Sequence, residues 1–481
     1  MTKRGSPGLM LTKNVTLFLM KILLLLLVSC NFKPNYSRPD MAMPESWRFN
    51  IEGETTDYVN AAWWEQFYDP LLDDFIREAL ENNQDLQVAT ARVLEFFAQF
   101  KIVASSLYPE VDLNASYMRQ DLTNGLDYSP IPTGTRVNNL YALFLSLSYE
   151  IDFWGAIRNA TDAAKSEYFA QIETRRTVIL TLVSSLASAY ILLEQYDKQL
   201  QISQMTYASR LDSWRLAKLR FEGGLTSELE VMQAESEADD AEIQVKTYEE
   251  LIPQQEDLIC VLLGRVPGHI DRGTLLTAPP SIPAGLPSDL LESRPDIVAA
   301  EFRLLAANAE IGVAKAAFFP TISLTGAFGF ESTALSNFFS NAAKMWDVGV
   351  NALQAIFTGW KLTYQLKEAQ AVALEAVHAY QQTILTAFQE VSDALIGHQK
   401  AKEISLVQID QVQALTEYLK LATLRYDNGQ NDYLTVLDAE RSLFRAQLSQ
   451  AETDANVFLT LVTLYKALGQ GWDVEETMND E

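Results

Sequence analysis

Four stretches of the chain alternate between apolar and polar residues, at about positions 110–119, 139–153, 321–331 and 345–357. In the first stretch, Val111 and Leu113 fall on one face, and Asp112 and Asn114 fall on the other. A period of two is typical of a β-strand with one apolar and one wet face. Beyond Ala352 the alternation slips, which predicts a bulge or the end of the fourth strand.

These predicted strands are long enough to cross a membrane. At about 3.3 Å per residue they measure roughly 30–40 Å, which spans an outer membrane at a tilt. Four strands are too few to close a barrel within one chain. A soluble antiparallel sheet with helices over its apolar face fits the same alternation, so the strands alone leave both alternatives open.

Two stretches lack the residues that interrupt helices. No proline occurs from Ala156 to about Phe221 or from Lys361 to about Tyr426, and Gly397 is the only glycine within them. Each covers about 65 residues, which at 1.5 Å per residue predicts a helix roughly 100 Å long. A second helical stretch follows each one, at 228–263 and 433–468, so the sequence predicts two long helical hairpins.

The tips of these two hairpins have nearly the same sequence. LRFEGGLTSELEVMQAE begins at Leu219, and LRYDNGQNDYLTVLDAE begins at Leu424, 205 residues later. Gly224 and Gly429 supply the left-handed backbone that such a turn needs. The chain therefore contains the same helical turn twice.

The duplication extends well beyond the tips. The segment that begins at Asp85 matches the segment that begins at Asp296 at a constant offset of 211, and Pro109 matches Pro320. We therefore predict two structural repeats joined by a linker rich in proline and glycine. The predicted boundaries are 71–264 for the first repeat, 265–287 for the linker and 288–472 for the second repeat.

The first 29 residues predict a signal peptide. They carry four basic residues and no acidic one, and their apolar run ILLLLLV is too short to span a bilayer. The run leads into LVSC, which resembles a bacterial lipobox. Cleavage before Cys30 and attachment of a diacylglycerol and an N-acyl chain to this residue are therefore expected. A plain secretory cleavage beside an incidental cysteine is the alternative.

The same interpretation leaves two further terminal segments to assign. Residues 30–70 form a lipidated N-terminal segment, and residues 473–481 form an acidic tail. By the same resemblance to bacterial lipoproteins, Asn31 in place of an aspartate directs the product to the outer membrane. We therefore expect an outer membrane protein anchored by lipid.

Composition and charge argue against several classes of function. The formal net charge is −26, the opposite sign to that required for nucleic-acid binding. His269, His378 and His398 lack the spacing of a metal site, and we find no phosphate-binding loop or nucleophile elbow. Cys260 lies in the apolar run LICVLLG, which predicts a buried, inert thiol. We therefore expect no enzyme activity and no cofactor apart from the lipid on Cys30.

Several motifs together resemble the TolC-like outer membrane efflux channels, specifically the lipidated subfamily that serves drug pumps. They are the lipobox, the segment KPNYSRP, the two repeats, the tip RYDNGQNDYLTVLDAERSLFRAQ and the ending LYKALGQGW. The resemblance runs from Pro34 to Trp472. Gln470 within the last motif is a minor departure from the family's pattern.

The resemblance implies a fold that is mixed all-α plus membrane β-barrel. Long antiparallel helical hairpins form a periplasmic tunnel, and a homotrimer contributes four strands per chain to a twelve-stranded barrel. The implied function is the outer membrane channel of a tripartite pump that exports small molecules such as drugs. The implied partners are a periplasmic adaptor protein and an inner membrane pump. The adaptor meets the hairpin tips, whose residues are Gly223, Gly224, Leu225, Asn428, Gly429 and Gln430.

The resemblance also implies a gate at the second tip. Leu434 and Asp438 fall on the family's gate positions, while Tyr426 and Glu230 fall where relatives hold the closed state by polar contacts. Some relatives have a basic residue at the position of Asn431, so an identical ion-pair latch is not expected here. Asp438 could instead be an ordinary solvated helix residue.

Three other functions fit parts of the sequence. A channel of this family can also serve type I protein secretion or metal efflux. A structural lipoprotein made of coiled-coil rods is the alternative from a different class, and it needs no membrane strands.

Overall fold

The computed structural model describes residues 31–41, 47–49, 62–121, 137–273 and 290–472. The predicted signal peptide, Cys30 and the acidic tail 473–481 lie outside the described residues, as does the second part of the predicted linker. By contacts the chain divides into two units. The first comprises Met1–Pro39, Leu94–Ala170 and Ala300–Ala379, and the second comprises the remaining residues.

The elements follow the same order in both repeats. The helices are α1 (Pro70–Asn82), α2 (Gln84–Ser105), α3 (Ala156–Glu222), α4 (Glu228–Leu262), α5 (Leu290–Ser293), α6 (Pro295–Ala316), α7 (Lys361–Asp427) and α8 (Tyr433–Ala467). The strands are β1 (Glu110–Asp121), β2 (Val137–Ile151), β3 (Thr321–Ser332) and β4 (Lys344–Leu353). Short 3₁₀ turns occupy Trp63–Phe67, Leu335–Asn337 and Asn341–Ala343. Helices α3 and α7 each have 67 residues, and α4 and α8 each have 35.

The four strands form one antiparallel sheet in the first unit, in the order β1-β2-β3-β4. Val111 lies opposite Leu147, and Leu145 lies opposite Phe328. Because cross-strand partners share a face, the apolar positions predicted from sequence form one continuous surface across all four strands. Polar positions form the other face, where Glu150 lies opposite Ser323.

The described residues leave much of the apolar face of the sheet uncovered. Nine of its large side chains are 41–77% exposed, and the others on this face are partly exposed; the nine are Val111, Leu113, Tyr117, Leu145, Leu147, Phe328, Trp346, Val348 and Val350. The soluble alternative would place helices over this face. The structure therefore favours a membrane sheet over a soluble one.

The fourth strand ends where the alternation slips, just after Ala352, which is short of its predicted bound. It stops at Leu353, whereas the sequence predicted a strand to about 357. Leu353 pairs with Thr321, the first residue of β3, so the residues after Leu353 have no partner in the described sheet. A strand needs a hydrogen-bonded partner, which explains the shorter element.

Aromatic residues join the start of the mature segment to the base of the sheet. Phe32 stacks on Phe319 with ring centroids 4.5 Å apart, and Phe319 stacks on Trp154 at 4.7 Å. Trp154 follows β2, and Phe319 precedes β3. The Nζ of Lys33 also lies 2.7 Å from a carboxylate oxygen of Asp162 in α3. These contacts hold residues 32 and 33 beside one end of the sheet.

The helices of the second unit pack around an aromatic and aliphatic core. Trp63 is 1% exposed and stacks on Tyr465 of α8 at 4.9 Å. Phe67 and Leu186 are also buried. Complete burial of side chains of this size contributes about 1.5–3 kcal/mol each, so this core stabilises the helical unit.

The first part of the predicted linker is held against helices. Arg272 forms ion pairs with Asp197 at 2.7 Å and with Glu256 at 2.5 Å. The backbone N–H of Gly273 donates to the hydroxyl of Tyr190 at 2.9 Å, and this hydroxyl donates to Asp69 at 2.8 Å. Residues up to Gly273 therefore belong to the packed second unit.

Gly329 in β3 is required by the packing of the sheet. A Cβ at this position would lie 2.8 Å from the Cα of Phe144 on β2 and would collide with the carbonyl of Leu143. Gly326 on the same strand has room, because its nearest contact would be the Asp347 carbonyl at 3.6 Å. We predict that Gly329→Ala costs about 1–3 kcal/mol, the usual cost of an enlarged side chain in a packed site.

The prediction is measured as the fraction of protein that runs as a folded species on a denaturing gel without heating. Gly326→Ala is the matched control and should retain the wild-type fraction. If Gly329→Ala folds as completely as this control, the close approach of β2 and β3 is wrong.

Candidate channel gate and hairpin tips

The two hairpin tips have the same backbone structure. Gly224 has φ 71°, and its N–H donates to the carbonyl of Phe221 at 2.9 Å, while Leu225 N–H donates to Arg220 at 2.8 Å. Gly429 has φ 69°, and the equivalent bonds join Gly429 to Tyr426 and Gln430 to Arg425, each at 2.9 Å. This is the Schellman arrangement, which closes a helix with a glycine in the left-handed region.

The residues predicted to dock a partner are all accessible. The exposed tip residues are Gly223, Gly224, Leu225, Asn428, Gly429 and Gln430. Leu225 is 82% exposed, and Leu229 in the first turn of α4 is 66% exposed. Each tip therefore presents a short loop, and the first adds an apolar side chain at its end.

Leu434 and Asp438, the predicted gate residues, lie on one exposed face of α8. Leu434 is 52% exposed, and Asp438 is exposed one turn later. The hydroxyl of Tyr418 on α7 lies 3.4 Å from a carboxylate oxygen of Asp438. The face carries a bulky apolar side chain and a carboxylate, and both are exposed in the part of the chain that the structure describes.

Tyr426 connects the second hairpin to the first. Its hydroxyl accepts a hydrogen bond from Nη1 of Arg220 at 3.2 Å, and its ring packs against Tyr433 at 5.3 Å. Glu230, the other predicted closing residue, accepts a hydrogen bond from the hydroxyl of Thr226 in its own tip. The polar contact of Tyr426 with the first hairpin is therefore to Arg220.

Small buried residues bring the helices of each hairpin together behind the tips. One cluster comprises Ala217, Val231 and Ala234, and the other comprises Ala422, Val436 and Ala439. Tyr433 packs against both clusters. Burial raises the pKa of its hydroxyl, so Tyr433 stays neutral between the hairpins.

A buried ionic network joins the hairpins farther from the tips. Arg210 of α3 is 3% exposed, and its Nη1 donates to the backbone carbonyl of Glu237 at 2.8 Å. The carboxylate of Glu237 lies 3.2 Å from this guanidinium and also pairs with Arg441 of α8. Glu237 is thus shared between an arginine of each hairpin. Removing one partner of such a buried pair typically costs about 3–5 kcal/mol.

The network borders a small cavity. Arg210, Glu440 and Phe444 contribute to the lining of a volume of about 230 Å³. The guanidinium of Arg210 lies over the ring of Phe444, 4.9 Å from its centroid. Burial, aided by the neighbouring Glu237, raises the pKa of Glu440. The hairpins therefore contact each other through a polar region that is only partly filled.

The sequence did not reveal Arg220, Arg210, Glu237 or Arg441 as contact residues. A signal for three of them lies in the differences between the repeats. At the tip offset of 205, Leu415 corresponds to Arg210, Ser442 to Glu237 and Ser236 to Arg441. At these three positions the charge is present in one repeat alone, and this difference is the signal in the sequence for the network.

No group of histidine, cysteine and carboxylate side chains that could hold a metal ion is found among the described residues. His398 is buried, and its Nδ1 lies 3.2 Å from the Thr460 hydroxyl. Burial lowers the pKa of His398 to about 4, so it is neutral at physiological pH. Cys260 is also buried, with its thiol 3.3 Å from the Gly268 carbonyl, as expected for an inert thiol.

The sequence matches the family model described as outer membrane efflux protein over residues 75–265 and 286–470. The chain belongs to the outer membrane efflux protein family. It is therefore a non-enzymatic channel component of the outer membrane that acts in efflux. The two matched segments correspond to the two repeats, and they contain both hairpin tips.

Relatives match over nearly their whole length. The solvent efflux pump outer membrane protein SrpC of Pseudomonas putida is 35% identical over 463 residues, covering 94% of this chain and 98% of the relative. The cation efflux system protein CusC of Escherichia coli O157:H7 is 31% identical over 455 residues, covering 93% and 97%.

Solved structures show the same fold. The CmeC outer membrane channel of Campylobacter jejuni has a TM-score of 0.89 at 26% identity, covering 94% of this chain and 98% of that one. The open state of the MtrE outer membrane channel of Neisseria gonorrhoeae has a TM-score of 0.82 at 28% identity, covering 92% and 99%. The predominantly helical architecture with a small sheet is that of these channels.

We predict that a valine at either tip glycine impairs transport. No atom lies within 4 Å of a Cβ built at Gly224 or Gly429, so the cost of Gly224→Val or Gly429→Val comes from the positive φ alone, about 1–3 kcal/mol. Because the strain distorts the tip without disturbing the core, export of a fluorescent substrate should fall while the folded protein persists.

Gly397→Val is the matched control, because Gly397 also has open space around it but lies inside α7 without a positive φ. This variant should transport normally. Normal transport by both tip variants would show that the tip geometry is not needed for assembly of the pump.

Proposed function

We propose that the protein is the outer membrane channel of a tripartite pump that exports small organic molecules, including drugs and solvents, and that it works as a homotrimer. The observation that carries this proposal is the four-stranded sheet, with one continuous exposed apolar face and two unpaired edges. The structural coiled-coil alternative gives no reason for such a sheet. An apolar face of this extent is stable in lipid.

The free edges support a trimer. The backbone N–H and C=O groups at the outer sides of β1 and β4 have no strand beside them in the described sheet. In a bilayer each unsatisfied group costs several kcal/mol, so a membrane sheet must close on itself. Three copies, each contributing four strands, give a barrel of twelve strands with its polar face toward the lumen.

The relatives favour organic substrates. Seven relatives that are 34–36% identical to this chain have names that refer to solvent, toluene or antibiotic efflux or to efflux alone. The relative named for cation efflux is 31% identical. Metal efflux and type I protein secretion are the alternatives within the same family.

The tips supply the proposed docking surface for a periplasmic adaptor protein. In each chain two tips of the same shape expose their loop residues, so a trimer offers six similar sites. The energy for transport comes from an inner membrane pump, which the adaptor connects to the channel.

The gate is proposed to lie on the exposed face of α8. In a trimer, Leu434 and Asp438 of three chains would face one axis, one turn apart along each helix. Leu434 would narrow the passage by its bulk, and the three Asp438 carboxylates would repel each other and attract cations. The hydrogen bond of Arg220 to Tyr426 would hold the hairpins in the narrow arrangement.

We predict that Leu434→Ala raises the resting single-channel conductance in a planar bilayer, because it removes the bulk at the constriction. Asp438→Ala should lower the preference for cations, measured as a shift in the reversal potential under a salt gradient. The matched control is Leu229→Ala, which changes the corresponding residue of the first tip, 66% exposed, and should leave conductance unchanged. If Leu434→Ala and Leu229→Ala both behave as the wild type, the constriction lies elsewhere.

The lipid anchor is proposed on Cys30. Phe32, two residues later, packs against Phe319 directly before β3, so an acyl chain on Cys30 would start beside the end of the membrane strands. Burial of hydrocarbon contributes about 0.8 kcal/mol per CH₂ group. The anchor therefore adds to the attachment that the barrel already supplies.

We predict that Cys30→Ala abolishes incorporation of labelled palmitate but leaves some protein in the membrane fraction, because the strands insert independently of the lipid. The wild-type protein, treated in parallel, is the reference for palmitate incorporation and for the amount of protein in the membrane fraction. Complete release of the variant into the soluble fraction would support a scaffold held by lipid alone.

A further inference from the structure

The duplication relates β1 to β3, and β2 to β4, by a fixed number of residues. Glu110 of β1 pairs with Ser148 of β2, and Thr321 of β3 pairs with Leu353 of β4. These pairs are consistent with an offset of 211 residues between β1 and β3 and of 205 between β2 and β4, the offsets that also relate the starts of α2 and α6 and of α3 and α7. The sequence gives the same two offsets independently, from Pro109 and Pro320 and from the two hairpin tips.

Within the chain the two repeats meet where β2 pairs with β3, and we call this pairing the internal seam. There Leu145 lies opposite Phe328, and Leu147 lies opposite Gly326. In a closed barrel of identical chains, the same kind of seam must join β4 of one copy to β1 of the next, because these are the strands at the free edges.

We propose that β4 pairs with β1 of a second copy in the register of the internal seam, which places Val350 opposite Tyr117 of the neighbouring copy. Val350 is the position in β4 that corresponds to Leu145 in β2, 205 residues later. Tyr117 is the position in β1 that corresponds to Phe328 in β3, 211 residues earlier. The same operation on Leu147 and Gly326 places Ala352 opposite Ala115. The inference rests on the proposed trimer and specifies how its copies meet.

The chemistry of the two edges agrees with this register. Val350 and Tyr117 are 68% and 57% exposed in the single chain, and both belong to the apolar face. A slip of one residue would turn the apolar face of one strand toward the polar face of the other. A slip of two residues keeps the faces matched, so the repeat offsets are what select the register.

The register also accounts for the early end of β4. In the internal seam Ile151 lies opposite Ile322. The same two offsets place Ile356 opposite Val111 of the next copy. Ile356 is 89% exposed in the single chain. With a neighbour beside it, β4 can continue from Leu353 to Ile356, close to the strand end predicted by sequence.

Exposed aromatic residues lie at the same end of the two free edges. In the internal seam Trp154 stacks on Phe319 and donates its Nε1–H to the carbonyl of Pro320 at 2.8 Å. Phe319 corresponds to Tyr108, which is 72% exposed, and Trp154 corresponds to Gly359, whose neighbour Trp360 is 70% exposed. The contact of Trp154 with Phe319 is therefore not repeated residue for residue between copies, and Trp360 is the exposed ring next to the equivalent position.

Disulfide trapping tests the register. The full-length protein carries Val350→Cys and Tyr117→Cys in a Cys260→Ala background. Residues directly opposite have Cβ atoms about 4.5–5.5 Å apart, and disulfides need a Cβ separation of about 3.5–4.5 Å, which a small local shift provides. Mild oxidation in native membranes should convert most of the protein to a covalent trimer on a denaturing gel, and reductant should return it to monomer.

The matched control is Val348→Cys with Tyr117→Cys, which tests the slip of two residues. Its disulfide should form at least about fivefold more slowly, because diagonal neighbours lie about 7–8 Å apart. Ala352→Cys with Ala115→Cys is a second pair in the proposed register and should behave like the first, even if replacement of Tyr117 disturbs folding.

The outcomes separate this inference from the trimer itself. Faster trapping of the control pair than of both proposed pairs would overturn the register. A trimer on a native gel that none of the pairs traps would overturn the β4–β1 seam and leave the channel proposal intact. A wild-type protein that is monomeric on the native gel would overturn the proposed trimer, and the seam with it.

Discussion

The requirement that every backbone polar group in a bilayer be hydrogen-bonded is the constraint on which the rest of the structure depends. The described sheet has four strands and leaves β1 and β4 unpaired on one side each. A single chain therefore cannot satisfy this requirement. In the proposed trimer, three copies satisfy this requirement together, and they also enclose the lumen that a channel needs.

The duplication explains why the assembly can be regular. Each repeat supplies two strands and one helical hairpin with the same Schellman turn at its tip. Contacts within a repeat can therefore be alike, as shown by the matching alanine and valine clusters behind the tips. The network of Arg210, Glu237 and Arg441 uses charges that are absent from the matching positions, so the two hairpins are not interchangeable.

Much of the fold could be predicted from the sequence because its signals are local. Alternation predicted the strands, the absence of proline predicted the long helices, and Gly224 and Gly429 predicted the turns. The slip of the alternation after Ala352 predicted a bulge or the end of β4, but it could not decide between them, because strand length also depends on a neighbour. The contact of Arg220 with Tyr426 was also missed, since the two residues are distant in sequence and their pairing follows from packing of the hairpins.

The central claim is that the sheet crosses the membrane with its apolar face in lipid and its polar face toward water. The most direct measurement is a cysteine scan along β4 with a water-soluble thiol reagent in native membranes. Substitutions at Asp347, Gly349 and Asn351 should react, and substitutions at Trp346, Val348 and Val350 should be protected. Uniform reactivity along the strand would contradict the account, because both faces of β4 would then be in water.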